Sequence, residues 1–277
     1  MKFICMGYVD PETWQAHTPE EGEAIIAECF SYDDELRLGG YFRGGEAMGD
    51  LSSAVTLRHK NDQVEVTDGP YIETKEILGG ILLLEASDLN DAIRLVSNHP
   101  GLRIGPFEIR PAEENINQKI QESNARVDQV RIRKLIEQWS TALENKDLDG
   151  ICANYTDETI LFDAIPPYKV IGTDAIRKTW EACLPYFPDK FKSEHQDLTV
   201  HVAGETAFVY GLHHFITEDP NHSAAQTWMR LTIGFEKING LWKVTHEHVS
   251  VPFNPMDNKA WFIKDPENID APDYSQA

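Results

Sequence analysis

The sequence predicts a mixed α+β chain built as two units, and three observations carry that reading. At 277 residues the chain is longer than one ordinary core needs. From residue 2 to residue 110 it reads strand, helix, strands, helix, strand, which is the split βαβ order of ferredoxin-like folds. After a polar stretch, three helices precede a series of long alternating strands, the pattern of an antiparallel sheet curled over helices.

Residues 2–8 alternate and form the first strand. Thr18-Pro19-Glu20-Glu21 supplies an N-cap, a proline at the first helical position and a capping-box glutamate. Ile25, Ile26, Cys29, Phe30 and Leu36 give that helix one apolar stripe, and Gly39-Gly40 ends it. Ala54–His59 and Gln63–Thr67 flank Lys60-Asn61-Asp62 as a hairpin. The apolar run Gly80–Ala86 suits a sheet centre. Ser87 or Asp88 caps a second helix bearing Leu89, Ala92, Ile93 and Val96, and Gly105–Arg110 closes the unit as a strand.

Residues 114–127 are rich in Glu, Asn and Gln without sustained periodicity, so they are expected to form a linker between domains at 1–113 and 128–258. A long helix follows with Ile132, Leu135, Ile136, Trp139 and Leu143 on one face. Leu148, Ile151, Cys152 and Tyr155 mark a second helix, and Ile176, Trp180 and Cys183 a third. Leu198–Val202, Ala207–Ile216, Thr227–Lys237 and Trp242–Val251 are strands, the last two joined at Asn239-Gly240. Residues 259–277 read as an acidic tail or wrapped arm.

Composition narrows the function classes. The 25 basic and 46 acidic side chains give a net charge of −21, which repels nucleic-acid backbones and anionic lipid. No apolar run reaches the roughly 20 residues of a membrane helix, and the first residues read as a strand rather than a signal segment. A cytoplasmic protein with no nucleic-acid or membrane partner is expected. The four cysteines lack C-x-x-C spacing, which fits small buried residues better than a zinc site or disulfides.

The segment Asp68-Gly69-Pro70-Tyr71-Ile72-Glu73-Thr74-Lys75-Glu76-Ile77-Leu78-Gly79-Gly80, with Glu108-Ile109-Arg110-Pro111, closely resembles the signature of DGPF/YCII-related proteins. That resemblance implies a dimeric ferredoxin-like fold and a pocket around Asp68, which Glu73 and Lys75 would help to line. Relatives pair the aspartate with a helix histidine, but the corresponding position here falls near Cys29 and the helix has no histidine. The second half resembles SnoaL-like, ketosteroid-isomerase-like proteins of the nuclear-transport-factor-2-like superfamily. Phe162-Asp163-Ala164-Ile165-Pro166-Pro167, the Trp228/Arg230/Thr232 strand and Trp242–Phe253 carry it. It implies a cone-shaped α+β domain whose fold hosts isomerases, cyclases, hydrolases and plain binders.

By that resemblance Asp163 stands at the general-base position; a turn-capping carboxylate is the alternative. Trp139 replaces the family's oxyanion-hole tyrosine, and Thr232 or Ile233 its second aspartate. Unbroken strand alternation puts Trp242, Val244, His246, His248 and Ser250 on one face, expected to be the interior, with Glu247 outside. It likewise groups Trp228, Arg230 and Thr232. Arg230 would meet Asp163 or a ligand anion, and the two histidines would relay protons, ligate metal or serve structure. Tyr210, His213 and His214 share a neighbouring strand whose wet face the pattern leaves open. Trp139, Tyr155 and Trp180 read as core, Trp180 also being a candidate ligand contact.

The resulting expectation is a small apolar or carbonyl-containing ligand handled without metal or cofactor. Asp163, Arg230, His246 and His248 would be the reacting groups, with Trp228, Thr232, Tyr210, His214, Ser250 and Trp180 around them. A non-catalytic sensing or dimerisation module is the alternative. A homodimer is expected through the open face of Ile81–Leu84 and a convex apolar stripe of Met229, Leu231, Ile233 and Phe235.

Overall fold

The computed structural model describes residues 1–71 and 74–268, which divide into two compact units at Lys119/Ile120. The first opens with β1 (Lys2–Val9), a short helix α1 (Pro11–Gln15) and α2 (Pro19–Leu38). Thr18 caps α2: its hydroxyl accepts from Glu21 N at 3.2 Å, while the Glu21 carboxylate accepts from Thr18 N at 2.8 Å. β2 (Phe42–Ala47) follows, a strand absent from the hydrophobic pattern because glycines occupy its centre. They are required there. Gly44 has φ +148°, and a Cβ on Gly45 would stand 2.9 Å from the Ile81 carbonyl oxygen of the neighbouring strand.

β3 (Val55–Lys60) and β4 (Gln63–Asp68) form the expected hairpin, with Asn61 and Asp62 at φ 51° and 58° in its turn. They make a separate two-stranded sheet rather than joining the main one. β5 (Ile77–Glu85), α3 (Leu89–Val96) and β6 (Phe107–Pro111) complete the unit. The main sheet runs β2–β5–β1–β6, antiparallel throughout, as a ferredoxin-like fold requires. Phe3, Cys5, Leu82 and Leu84 pack from its inner face against Leu36 of α2 and Ala92, Leu95 and Val96 of α3. Ile4 and Met6 pair with Leu83 and Ile81 on the other face.

α4 (Glu114–Glu144) is one helix of 31 residues. The stretch expected as a linker is therefore helical. Its polarity reports exposure rather than irregular backbone, since the helix buries nothing before Asp128. Then come α5 (Leu148–Cys152), β7 (Tyr155–Phe162), β8 (Val170–Ile171), α6 (Thr173–Cys183), β9 (Phe191–Ala203), β10 (Thr206–Thr217), β11 (Met229–Ile238) and β12 (Leu241–Ser250). The six-stranded sheet runs β8–β7–β12–β11–β10–β9, with β7 and β12 parallel and the rest antiparallel. Its concave face closes on Ile132, Ile136 and Ile176 of the helices.

Leu231, Ile233 and Phe235 belong to that core at 2–7% exposure. The stripe expected on the convex face thus faces inward, and Arg230 faces out. Asp128 is buried beneath the sheet and accepts from Trp242 Nε1 at 3.0 Å and Lys237 Nζ at 2.7 Å. Against the upward push of burial, these bonds hold its carboxyl below the usual range.

Two bulges decide which side chains enter the concave side. In β9, Thr199 and Gln196 pair with Tyr210 and Leu212, so two residues oppose one, and Asp197 sits at φ 55°. In β12, Val244 and His246 pair with Phe235 and Gly234, leaving Thr245 extra. Alternation inverts there. Trp242 and Val244 point inward, as expected, but beyond Thr245 it is Glu247 that is buried, while His248 is exposed. β13 (Phe253–Asn254) and β14 (Lys259–Ala260) pair beyond the sheet, and Ile263 bridges Trp228. The tail expected at 259–277 is described only to residue 268. Among the described residues no helix is long and apolar enough to cross a membrane.

Candidate active site

The second unit holds a partly open cavity of about 510 Å³ between the concave sheet and the helices. Trp139 of α4, Trp180 of α6, Phe187 and Phe215 make its walls largely aromatic. Ala260 and Phe262 of the C-terminal arm add to its lining; Trp228 N donates to Ile263 O at 2.9 Å and Ile263 N to Thr227 Oγ1 at 2.9 Å, fixing that arm. The titratable groups on its wall are Asp163, Tyr155, Cys183, Tyr186, His213 and Glu247. Lysine and arginine are absent from the described lining residues.

Asp163 follows the end of β7, where it both braces a turn and reaches the cavity. Its Oδ1 accepts weakly from Ile165 N at 3.4 Å, bracing the turn, while its carboxyl lines the cavity. Burial raises its pKa, and the bonds from Ile165 and Ala164 only partly oppose that.

Glu247, directed inward by the Thr245 bulge, accepts a 2.6 Å hydrogen bond from the Tyr155 hydroxyl. Burial pushes its carboxyl up to about 7; the Tyr155 bond opposes this and the nearby Asp163 charge adds to it. Burial, then the Glu247 charge, places the Tyr155 hydroxyl well above its ordinary value. Tyr155 therefore keeps its proton and donates the bond, while Glu247 titrates at about 7. The Trp139 indole N–H is buried and lies toward the Tyr155 oxygen without closing a hydrogen bond of normal geometry.

His213 is 3% exposed, and its ring stacks on His195 with centroids 4.6 Å apart. Burial brings His195 down to about 4. Burial, followed by the charges of His195 and His214, takes His213 well below the histidine range. In both rings burial favours the neutral form.

Of the residues expected to react, only Asp163 lines this cavity. Arg230 is exposed, opposite Ser250 in the β11–β12 register. His246 lies on the outer side, where its Nδ1 meets Ile160 O at 2.9 Å and its ring, like that of His248, packs on Phe162. The bulge at Thr245 is the physical cause. Among the expected ligand contacts, Trp180 lines the cavity. Thr232 and Tyr210 pair with each other, and Tyr210 is 44% exposed. Trp228 stacks on His214, whose Nε2 meets Ala225 O at 3.1 Å. Glu247, Tyr155 and His213 were missed as site residues. For Glu247 the available signal was Gly234, a glycine inside a strand opposite the bulge in its partner.

In the first unit Asp68 ends the hairpin and is exposed. Lys75 turns to Asp10 at 3.9 Å and Glu12 at 3.5 Å instead. Glu73 lies outside the described residues.

Comparison with known proteins agrees with this division. A YCII-related domain matches residues 1–115 and a SnoaL-like domain residues 132–254. An uncharacterized protein of Rhizobium meliloti (strain 1021) is 30% identical over 115 residues, covering 40% of this chain and 91% of that protein. The crystal structure of an NTF2-like protein of unknown function from Pseudomonas putida KT2440 is 34% identical, covering 51% of this chain and 99% of that one with a TM-score of 0.48. A protein of unknown function with a cystatin-like fold from Nostoc punctiforme is 17% identical, covering 47% and 96%, with a TM-score of 0.40. The chain thus belongs to the YCII-related family through residues 1–115 and to the SnoaL-like family through residues 132–254.

Proposed function

We propose that the second unit binds a small, largely apolar, carbonyl-containing molecule and performs acid–base chemistry on it, of isomerase, cyclase or hydrolase type. One observation carries this reading: two carboxyl groups, Asp163 and Glu247, share an aromatic cavity that holds at least one of them near neutrality. Asp163 takes a proton beside the ligand carbonyl. Glu247 in its acid form, backed by Tyr155, returns one. The Trp139 N–H, which lies beside the Tyr155 oxygen on the same wall, turns to the ligand oxygen on which negative charge develops. The lack of a lysine or arginine on the described wall disfavours an anionic ligand.

The test is proton exchange on a panel of neutral cyclic ketones in D2O, followed by NMR. The wild-type protein should speed α-deuteration of at least one ketone, and Asp163→Asn should reduce that gain by about 100-fold or more. Ketones that bind, yet exchange no faster than in buffer, would leave a binding protein and overturn the catalytic reading.

A second reading concerns self-association. Val55, Leu57, Val64 and Val66 share one face of the β3–β4 hairpin and are 57–66% exposed. A homodimer that buries this face is the simplest account of it.

A further inference from the structure

Four polar residues behind the cavity wall make a chain that neither the fold nor the carboxyl pair requires. His213 Nε2 lies 2.9 Å from Ser193 Oγ, Ser193 Oγ donates to Ser140 Oγ at 3.2 Å, and Ser140 Oγ lies 3.3 Å from His195 Nδ1. With Ser193 donating to Ser140, His213 gives its Nε2–H to Ser193. In the His195 tautomer protonated at Nε2, Ser140 gives its hydroxyl proton to His195 Nδ1 and all the donors point one way.

The chain also has two different ends. His213 lines the aromatic cavity, and with His195 it lines a small recess that also contains Glu247 and Tyr155. At the other end, Ser140, Ser193 and His195 line a separate groove whose rim carries exposed Arg133, Lys192 and Glu194. A purely structural cluster needs no opening at either end.

We propose that His213, Ser193, Ser140 and His195 form a proton relay between the cavity and the solvent-facing groove. It rests on the acid–base reading of the cavity, in which a cycle leaves Asp163 protonated and Glu247 ionised, so that a path to water resets both. A proton enters at His213 Nδ1 as His213 releases its own from Nε2 to Ser193. Ser193 passes a proton to Ser140 and Ser140 passes one to His195 Nδ1, while His195 releases its Nε2 proton to the groove. One proton crosses, no charge accumulates, and rotation of the two hydroxyls with the return tautomer shift resets the chain. Neutral imidazoles are the form this needs, each with one N–H and one lone pair.

The experiment needs no ligand. Solvent exchange of the imidazole N–H protons is measured by NMR on 15N-histidine-labelled full-length protein, in wild type, Ser193→Ala and Ser140→Ala. The relay predicts that the buried His213 N–H exchanges quickly in the wild type and at least tenfold more slowly in either variant. The groove-side His195 should be little affected. If the wild-type His213 proton exchanges as slowly as the amides around it, or either folded variant leaves its rate unchanged, the relay is wrong. Loss of ketone exchange in Asp163→Asn with this result intact would separate the two readings.

Discussion

The Tyr155 hydroxyl donates a 2.6 Å hydrogen bond to Glu247 Oε2 across 92 residues of sequence, joining the first strand of the cone to its last long one. The bond is buried, and the acid it holds has a pKa raised from 4.5 to about 7. Folding therefore takes up a proton here between those values. Stability from this group is complete below pH 4.5 and is lost as pH rises through 7. Glu247→Gln keeps an acceptor for Tyr155 without the titration. Relative to that variant, the wild type should lose on the order of 3 kcal/mol between pH 4.5 and pH 8, at about 1.4 kcal/mol per unit. Urea melts of both proteins across that range check it; parallel stability curves would contradict it.

Leu231 is 4% exposed and packed in the cone's core rather than on its convex face. Leu231→Ala should cost about 2–5 kcal/mol. Leu231→Glu should leave no cooperative thermal transition, since it buries an unpaired charge. A folded Leu231→Glu protein with altered oligomeric state would return this residue to an interface.

Much of the architecture was legible in the sequence because capping boxes, apolar stripes and the Asn61-Asp62 turn are local signals. β2 was not, because a glycine-centred edge strand carries little pattern. The site was legible at Asp163, which a turn and a strand end position locally. His246, His248 and Arg230 were placed by alternation alone. Alternation fails after one extra residue: Thr245 moves Glu247 inward and both histidines out.

We propose that the two units fold independently. The core of the first lies between Phe3 and Ile109, and α4 buries nothing before Asp128. Fragments 1–113 and 124–277 should each melt cooperatively in differential scanning calorimetry. Failure of both fragments to fold would refute the division.

Self-association through the hairpin makes a separate claim. With a net charge of −21 on each copy, the contact must be extensive and apolar. Light scattering at physiological salt should give a dimer at micromolar concentration, and Leu57→Glu with Val66→Glu should give a folded monomer. A wild-type monomer would reject the dimer, and a persistent dimer in the double variant would reject the hairpin as its seat.

The central claim is that the Asp163 charge acts on Glu247 inside one aromatic cavity. Carboxyl-13C NMR of glutamate-labelled protein measures this directly, with Glu247→Gln assigning the resonance. The account predicts a single Glu247 carboxyl titrating near pH 7, with its midpoint falling when Asp163 is replaced by asparagine. A Glu247 midpoint in the ordinary glutamate range, or one that Asp163→Asn leaves unmoved, would contradict it.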